Sequence, residues 1–198
     1  MAFRFHFNAK KAIQAIGVLM DRDRVAQMNY MRLLKLLYLA ERSVLAKTGK
    51  PIIGDTVIAM PRGPVMESVY RLIRGQHPES RSFSEFFETF RYNLTMKRLP
   101  EFDELSEFEV AAIHDVASEH ADDDEWALIE FTHEALPEWK KNDPGESSKP
   151  IPVEDILEAI GYSKEEIADV IAEEHRRRSA APPRINKEVD RSPQAQPA

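Results

Sequence analysis

The hydrophobic pattern is densest over residues 30–47, YMRLLKLLYLAERSVLAK. At helical spacing, Leu33, Leu36, Leu37, Ala40 and Val44 fill one face, and Met31, Leu34, Tyr38 and Leu45 fill the flanks. A narrow polar strip of Arg32, Lys35, Arg42 and Ser43 remains. A helix apolar on nearly every side is buried by neighbours on several sides. With five charges in about 18 residues it is not a membrane span. The pattern therefore predicts the central helix of a compact domain. Asn29 is placed to cap its start, and Gly49 followed by Pro51 to stop it.

Before that helix, Phe3, Phe5 and Phe7 alternate with Arg4 and His6, the period of a strand. Asn8 can cap a helix over 9–20 with Ile13, Ile16, Leu19 and Met20 inward, and the polar run to Asn29 reads as a linker. After the central helix, residues 52–60 read as a short β-branched strand broken by Pro61-Arg62-Gly63-Pro64. Pro64 is suited to the first position of a helix reaching about Arg74, with Val65, Val69, Leu72 and Ile73 inward. Residues 82–90 read as an aromatic helix with a Ser82/Glu85 capping box. Residues 91–99 alternate as a strand expected to lie antiparallel to 57–60. The remainder is helical: a Ser106/Glu109 capping box, an acidic start at 122–125, a turn opened by Pro137 and carrying Trp139, a helix over 152–160, and a Ser163/Glu166 capping box. The expected fold is mainly α (α+β), a compact helical domain around a buried central helix with one small antiparallel sheet of two or three strands.

Composition narrows the possibilities. The 198 residues suit one domain plus a tail. We expect residues 1–175 to form the domain with a C-terminal helical extension. Residues 176–198, rich in Ala, Pro, Ser and Gln, are expected to be a disordered tail. No cysteine is present, which excludes disulfides, thiolate catalysis and cysteine-ligated metals and fits a reducing cytoplasm. The first residues, MAFRFHFNAKK, hold no signal-peptide core. The net charge is −7, but residues 176–198 carry six Lys/Arg against two Asp/Glu, leaving −11 on the body. An acidic body is poor at phosphate binding and fits a protein partner or a small ligand.

No constellation for catalysis, cofactor or metal stands out. His133-Glu134 begins a zinc-protease pattern, but the position of the second histidine is Pro137. The acidic run 122–125 lacks the alternation and glycine of a calcium loop and is better placed to cap a helix. Arg62-Gly63-Pro64 could form an anion site at a helix start, but one glycine and a missing N–H favour a structural turn. Arg71, Arg74, Arg81, Arg91 and Arg98 could serve a nucleic acid, but interleaved glutamates favour a solvated face. The remaining histidines share no spacing, and no nucleophile motif is found.

Three stretches resemble the Panacea domain, the SocA-like antitoxin family: LLKLLYLA with the following GKPIIGD, then AMPRGPVMESVYRLI, then LSEFE followed by His133 to Trp139. The likeness covers residues 8–141 in order. It implies an antitoxin, of bacterial or phage origin, which neutralises a cognate protein toxin by direct binding; with the composition and the lack of a catalytic or metal constellation, we expect it to be non-enzymatic and cytoplasmic, with no cofactor, metal or membrane. One family member resembles an adaptor delivering its toxin to a Clp-type protease, which sets a second reading; a nucleic-acid-binding autoregulator is a third. The family signature attaches to Gly63, Pro64, Val65, Tyr70, His133 and Trp139. The surface carrying Arg62, Glu67, Tyr70 and Arg71, with the C-terminal helix and tail contributing, is the expected toxin-binding face. His133 and Trp139 can be either a structural pair or contacts.

Overall fold

The computed structural model describes residues 3–22 and 24–180. Its centre is α2 (Tyr30–Thr48), in which Leu33, Leu34, Leu36, Leu37, Tyr38, Ala40, Val44 and Leu45 are buried. Asn29 caps it, its side chain accepting from the Met31 N–H at 2.9 Å, and Gly49 closes it at φ 66. The helix α1 (Ala9–Arg22) precedes it, with Asn8 accepting from the Lys11 N–H. Between them lies β1 (Gln27–Asn29), a three-residue strand inside the run that reads as linker.

The chain then forms a hairpin of β2 (Val57–Met60) and β3 (Gly63–Met66), followed by α3 (Glu67–Ile73) and α4 (Ser80–Phe86). A second hairpin follows, β4 (Phe87–Phe90) and β5 (Asn93–Met96). Helices α5 (Glu107–Glu119), α6 (Glu125–Ala135) and α7 (Pro137–Lys141) come next. The chain ends with β6 (Lys149–Pro150), α8 (Val153–Ala159) and α9 (Lys164–Ala180). Two three-stranded antiparallel sheets result, ordered β1-β5-β4 and β3-β2-β6. The α+β class and the buried central helix are as the sequence predicts. Residues 176–180 still belong to α9; the rest of the expected tail, 181–198, lies outside the described residues.

Several local expectations change. Phe3, Phe5 and Phe7 alternate inward against the core, but they form no strand, because no sheet edge pairs with them. The strand over 52–60 begins only at Val57. Pro64 opens no helix: it sits on the edge strand β3 opposite Ala59, where its missing N–H breaks no ladder bond. The helix over 82–90 ends at Phe86, and the Ser82/Glu85 box does not form; Glu79 precedes the helix instead. Phe87–Phe90 then pairs with β5, so β5 lies between β4 and β1 and not against Val57–Met60. The Ser106/Glu109 and Ser163/Glu166 boxes both form, and Asp124 caps α6.

The polar residues of α2 do not all face water. Lys35, one of the narrow polar strip, and Glu41 are both buried. Glu41 accepts from the backbone N–H groups of Ile52, Ile53 and Gly54 at 2.8, 2.8 and 2.7 Å. Burial, outweighing those three donors, lifts its carboxyl to about 7. Asp55 continues the pattern, accepting from Thr56 N–H and, at 2.9 Å, from Val69 N–H in the first turn of α3. The loop between α2 and β2 is thus held by carboxylates, not by its own ladder. Replacing Glu41 by Gln leaves buried N–H groups short of acceptors; we expect a loss of about 2–3 kcal/mol, measured by urea unfolding, and a Tm lower by about 4–10 °C.

Candidate functional site

The β2–β3 hairpin turns at Pro61 and Arg62. Its backbone carbonyls would be stranded above the core unless donors reach them. Three side chains do so. The Trp139 indole Nε1 donates to the Met60 carbonyl at 3.1 Å. The His133 ring is hydrogen-bonded with the Pro61 backbone. Lys35 Nζ donates to the Pro64 carbonyl at 2.9 Å. His133 and Trp139 stack face to face, with ring centroids 4.0 Å apart and 10° between planes. Trp139 is buried and His133 half-buried, and His133 Nε2 has no hydrogen-bond partner among the described residues.

Gly63 makes this approach feasible. Its φ is +93, and a Cβ there would lie 2.6 Å from Thr132 Oγ1 and 2.7 Å from Lys35 Nζ. Thr132 is fully buried, with its hydroxyl donating to the Ile129 carbonyl, so it has nowhere to move. Glu138 anchors the same region from below: it accepts from Tyr38 Oη at 2.8 Å and from Arg42 Nε at 2.8 Å. Burial first and the Glu138 charge second push the Tyr38 phenol well above its ordinary pKa, so it remains a donor.

Beneath the hairpin edge opens a pocket of about 290 Å³, lined by Tyr30, Met31, Leu34, Lys35, Met60, Pro61, Arg62, Val65, Tyr70 and Tyr92. Burial lowers the Lys35 ammonium to about 7. Burial, and then the nearby Lys35 charge, also hold the His133 pKa below its usual value. Tyr30 lies 6.2 Å from Tyr70 and 5.8 Å from Tyr92, ring to ring. Arg62 reaches across the outer rim, its guanidinium 5.2 Å from the Trp126 ring. Tyr92 and Trp126 are each 57% exposed, although both are large aromatics.

Of the residues singled out from sequence, Arg62, Val65 and Tyr70 line the pocket. Gly63 and Pro64 are buried in its clamp with His133 and Trp139. Glu67 begins α3 and is half-buried, and Arg71 is exposed and donates to the Gln76 carbonyl. Helix α9 does not line this pocket: it packs at the other end of α2, where Val170 meets Gly49, about 20 Å away by helical rise. Arg74, Arg91 and Arg98 have local partners in Tyr30, Phe90 and Phe86. Sequence reasoning missed Lys35, Tyr92 and Trp126 as site residues. A lysine flanked by leucines, Leu33-Leu34-Lys35-Leu36-Leu37, is the available signal for Lys35; no local signal marks the other two. No group of three potential metal ligands occurs among the described residues, and no helix among them is long and apolar enough to cross a membrane.

A family model described as antitoxin SocA-like, Panacea domain, matches residues 33–140. The matched span contains Lys35, Glu41, Gly63, Pro64, His133, Glu138 and Trp139, the whole clamp around the hairpin. No curated protein and no solved structure matches the chain.

Two measurements probe the clamp. Gly63→Ala adds both a left-handed-region penalty and a clash with Thr132, and should cost about 1–3 kcal/mol in urea unfolding. Lys35 is neutral in the folded chain above about 7, while the unfolded chain keeps that proton to about 10.5. The unfolded state therefore binds more protons across this window, and stability rises with pH through it. Unfolding from pH 7 to 10 should show that rise relative to Lys35→Met.

Proposed function

This chain belongs to the SocA-like antitoxin family, Panacea domain, and on that premise we propose that it neutralises a cognate protein toxin by binding it directly through the hairpin pocket and its rim. The observation that carries the reading is the exposed aromatic and arginine rim: Tyr92 and Trp126 stand out into solvent, with Arg62 stacked over Trp126. Tyrosine, tryptophan and arginine are the residue types that most often dominate binding energy at protein interfaces. The surface is preorganised, because the hairpin beneath it is held at three carbonyls, so little ordering is left to oppose association. Neutralisation on this reading is a binding function without chemistry. The clamp groups are spent on backbone acceptors: Lys35 on the Pro64 carbonyl, Trp139 on the Met60 carbonyl and His133 on the Pro61 backbone.

A second reading, delivery of the toxin to a Clp-type protease, requires a second surface. It is favoured by α9, which carries no fully buried residue and lies at the end of α2 away from the pocket. Degradation of the toxin that requires this chain in a purified protease reaction supports delivery; stable neutralisation without protease argues against it.

The test of the main reading is co-expression with the product of the neighbouring open reading frame. That product should arrest growth alone, and this chain should restore it. Trp126→Ala and Tyr92→Ala should each weaken the purified complex by about 30-fold or more, and Arg62→Glu should slow association. Failure of rescue removes the antitoxin reading. Rescue with unchanged affinity in all three variants moves the interface elsewhere.

A further inference from the structure

The hairpin pocket has an unbalanced floor. Lys35 is 3% exposed yet lines the cavity. An ammonium has three N–H donors, and Lys35 makes one hydrogen bond, to the neutral carbonyl of Pro64. No carboxylate among the described residues pairs with it; its charge bears on His133, whose protonation it opposes. The lining adds a second cation, Arg62, and contains no acid, in a chain whose net charge is −7. The walls are apolar or aromatic: Met31, Leu34, Met60 and Val65, with Tyr30, Tyr70 and Tyr92.

Burying an ammonium without a counter-charge is costly, and an arriving anion removes that cost. A bare inorganic anion would leave the thioether and phenol walls uncovered. A volume of about 290 Å³ stands at the lower edge of ligand pockets and suits one or two amino-acid side chains. Building on the antitoxin reading, we propose that the pocket receives an acidic side chain of the toxin, its carboxylate paired with Lys35 beneath Arg62, and a neighbouring apolar side chain of the toxin covering the tyrosine wall.

The pairing is charge-assisted and enclosed, the setting in which such bonds are strongest. It also supplies discrimination, since a protein without a carboxylate at that point leaves Lys35 buried and unpaired. Binding is linked to protons. The titratable and charged groups around Lys35 are His133 from α6, which also feels the Asp143 carboxylate, and the other pocket-lining groups: Arg62 from the hairpin, Tyr70 from α3, Tyr30 from α2 and Tyr92 from the turn between β4 and β5. A carboxylate raises the Lys35 pKa from about 7, so the complex takes up a proton, and affinity falls as pH rises above that value. Burial and the Lys35 charge hold His133 below its ordinary pKa, and the part of the slope that belongs to Lys35 is the part lost in Lys35→Met.

The experiment uses the full chain, its Lys35→Met variant, and two probes, phenylacetate and phenylacetamide. Phenylacetate should bind about tenfold more tightly than the amide at pH 7, shift the NMR signals of Tyr70 and Tyr92, and weaken between pH 7 and 9. Lys35→Met should abolish the preference; it removes a buried ammonium but also the donor to the Pro64 carbonyl, so binding is compared at a temperature at which the far-UV and near-UV CD of the variant match those of the parent chain, which separates lost recognition from lost folding. Against the toxin, Lys35→Met should weaken binding about tenfold or more, and one Asp→Asn or Glu→Gln change in the toxin should have no further effect in that background. Equal binding of the two probes overturns the proposal. So does undiminished toxin affinity in Lys35→Met while Trp126→Ala weakens the complex, an outcome that leaves the antitoxin reading standing. If the toxin is not neutralised at all, the antitoxin reading falls and takes the toxin carboxylate with it, whatever the probes show.

Discussion

Glu41 is the point on which the rest of the structure hangs. A carboxylate in the middle of a buried helix is costly unless its oxygens are satisfied, and here three consecutive backbone N–H groups, Ile52 to Gly54, satisfy them. That contact decides where the chain goes after α2. The loop is drawn back along the helix, Ile52 and Ile53 enter the core, and Asp55 is delivered to cap α3. The start of β2, and with it the hairpin and the pocket, follows from this position. The same loop offers the Ile53 carbonyl to the Asn8 N–H, so the entry to α1 is tied to it as well.

The central helix is therefore more than an apolar rod. Four of its polar side chains reach out to three partners: Lys35 to the hairpin, Tyr38 and Arg42 to Glu138, and Glu41 to the loop. Buried polar groups specify a unique arrangement when they are fully satisfied and penalise any other. Three of these four are fully committed to partners within the chain. Lys35 is the exception, and it is the one that lies at the floor of a cavity open to solvent. Scaffold and site thus share one helix, and the site is where the helix leaves a charge unbalanced.

The expected signature positions divide by the same logic. Gly63, Pro64, His133 and Trp139 build the clamp beneath the hairpin, whereas Arg62 and Tyr70 stand at the pocket it supports. The stacked His133–Trp139 pair, with its indole spent on the Met60 carbonyl, has the geometry of a support. The aromatic surface above it comes from elsewhere in the chain: Tyr92 from the second hairpin and Trp126 from the first turn of α6. Four separate segments therefore converge on one rim.

What the sequence determined by itself is most of what is set within a few residues, the Ser82/Glu85 box being the exception, since α4 begins at Ser80. The caps at Asn8, Asn29, Ser106, Asp124 and Ser163, the stop at Gly49, the buried stripe of α2 and the α+β class were legible because capping and helical periodicity are local. The tertiary structure decided what depends on partners far along the chain. A period of two cannot say which edge a strand joins, so Phe3 to Phe7 found none and β5 joined β1 and β4. Pro64 satisfies both a helix start and an edge strand, and only the Gly63 turn and the Lys35 donor resolve the choice. Whether a lysine on a helix faces water or a cavity is likewise set by what packs over it. For Lys35 that is the hairpin, about 29 residues away in sequence, and no local pattern carries that information.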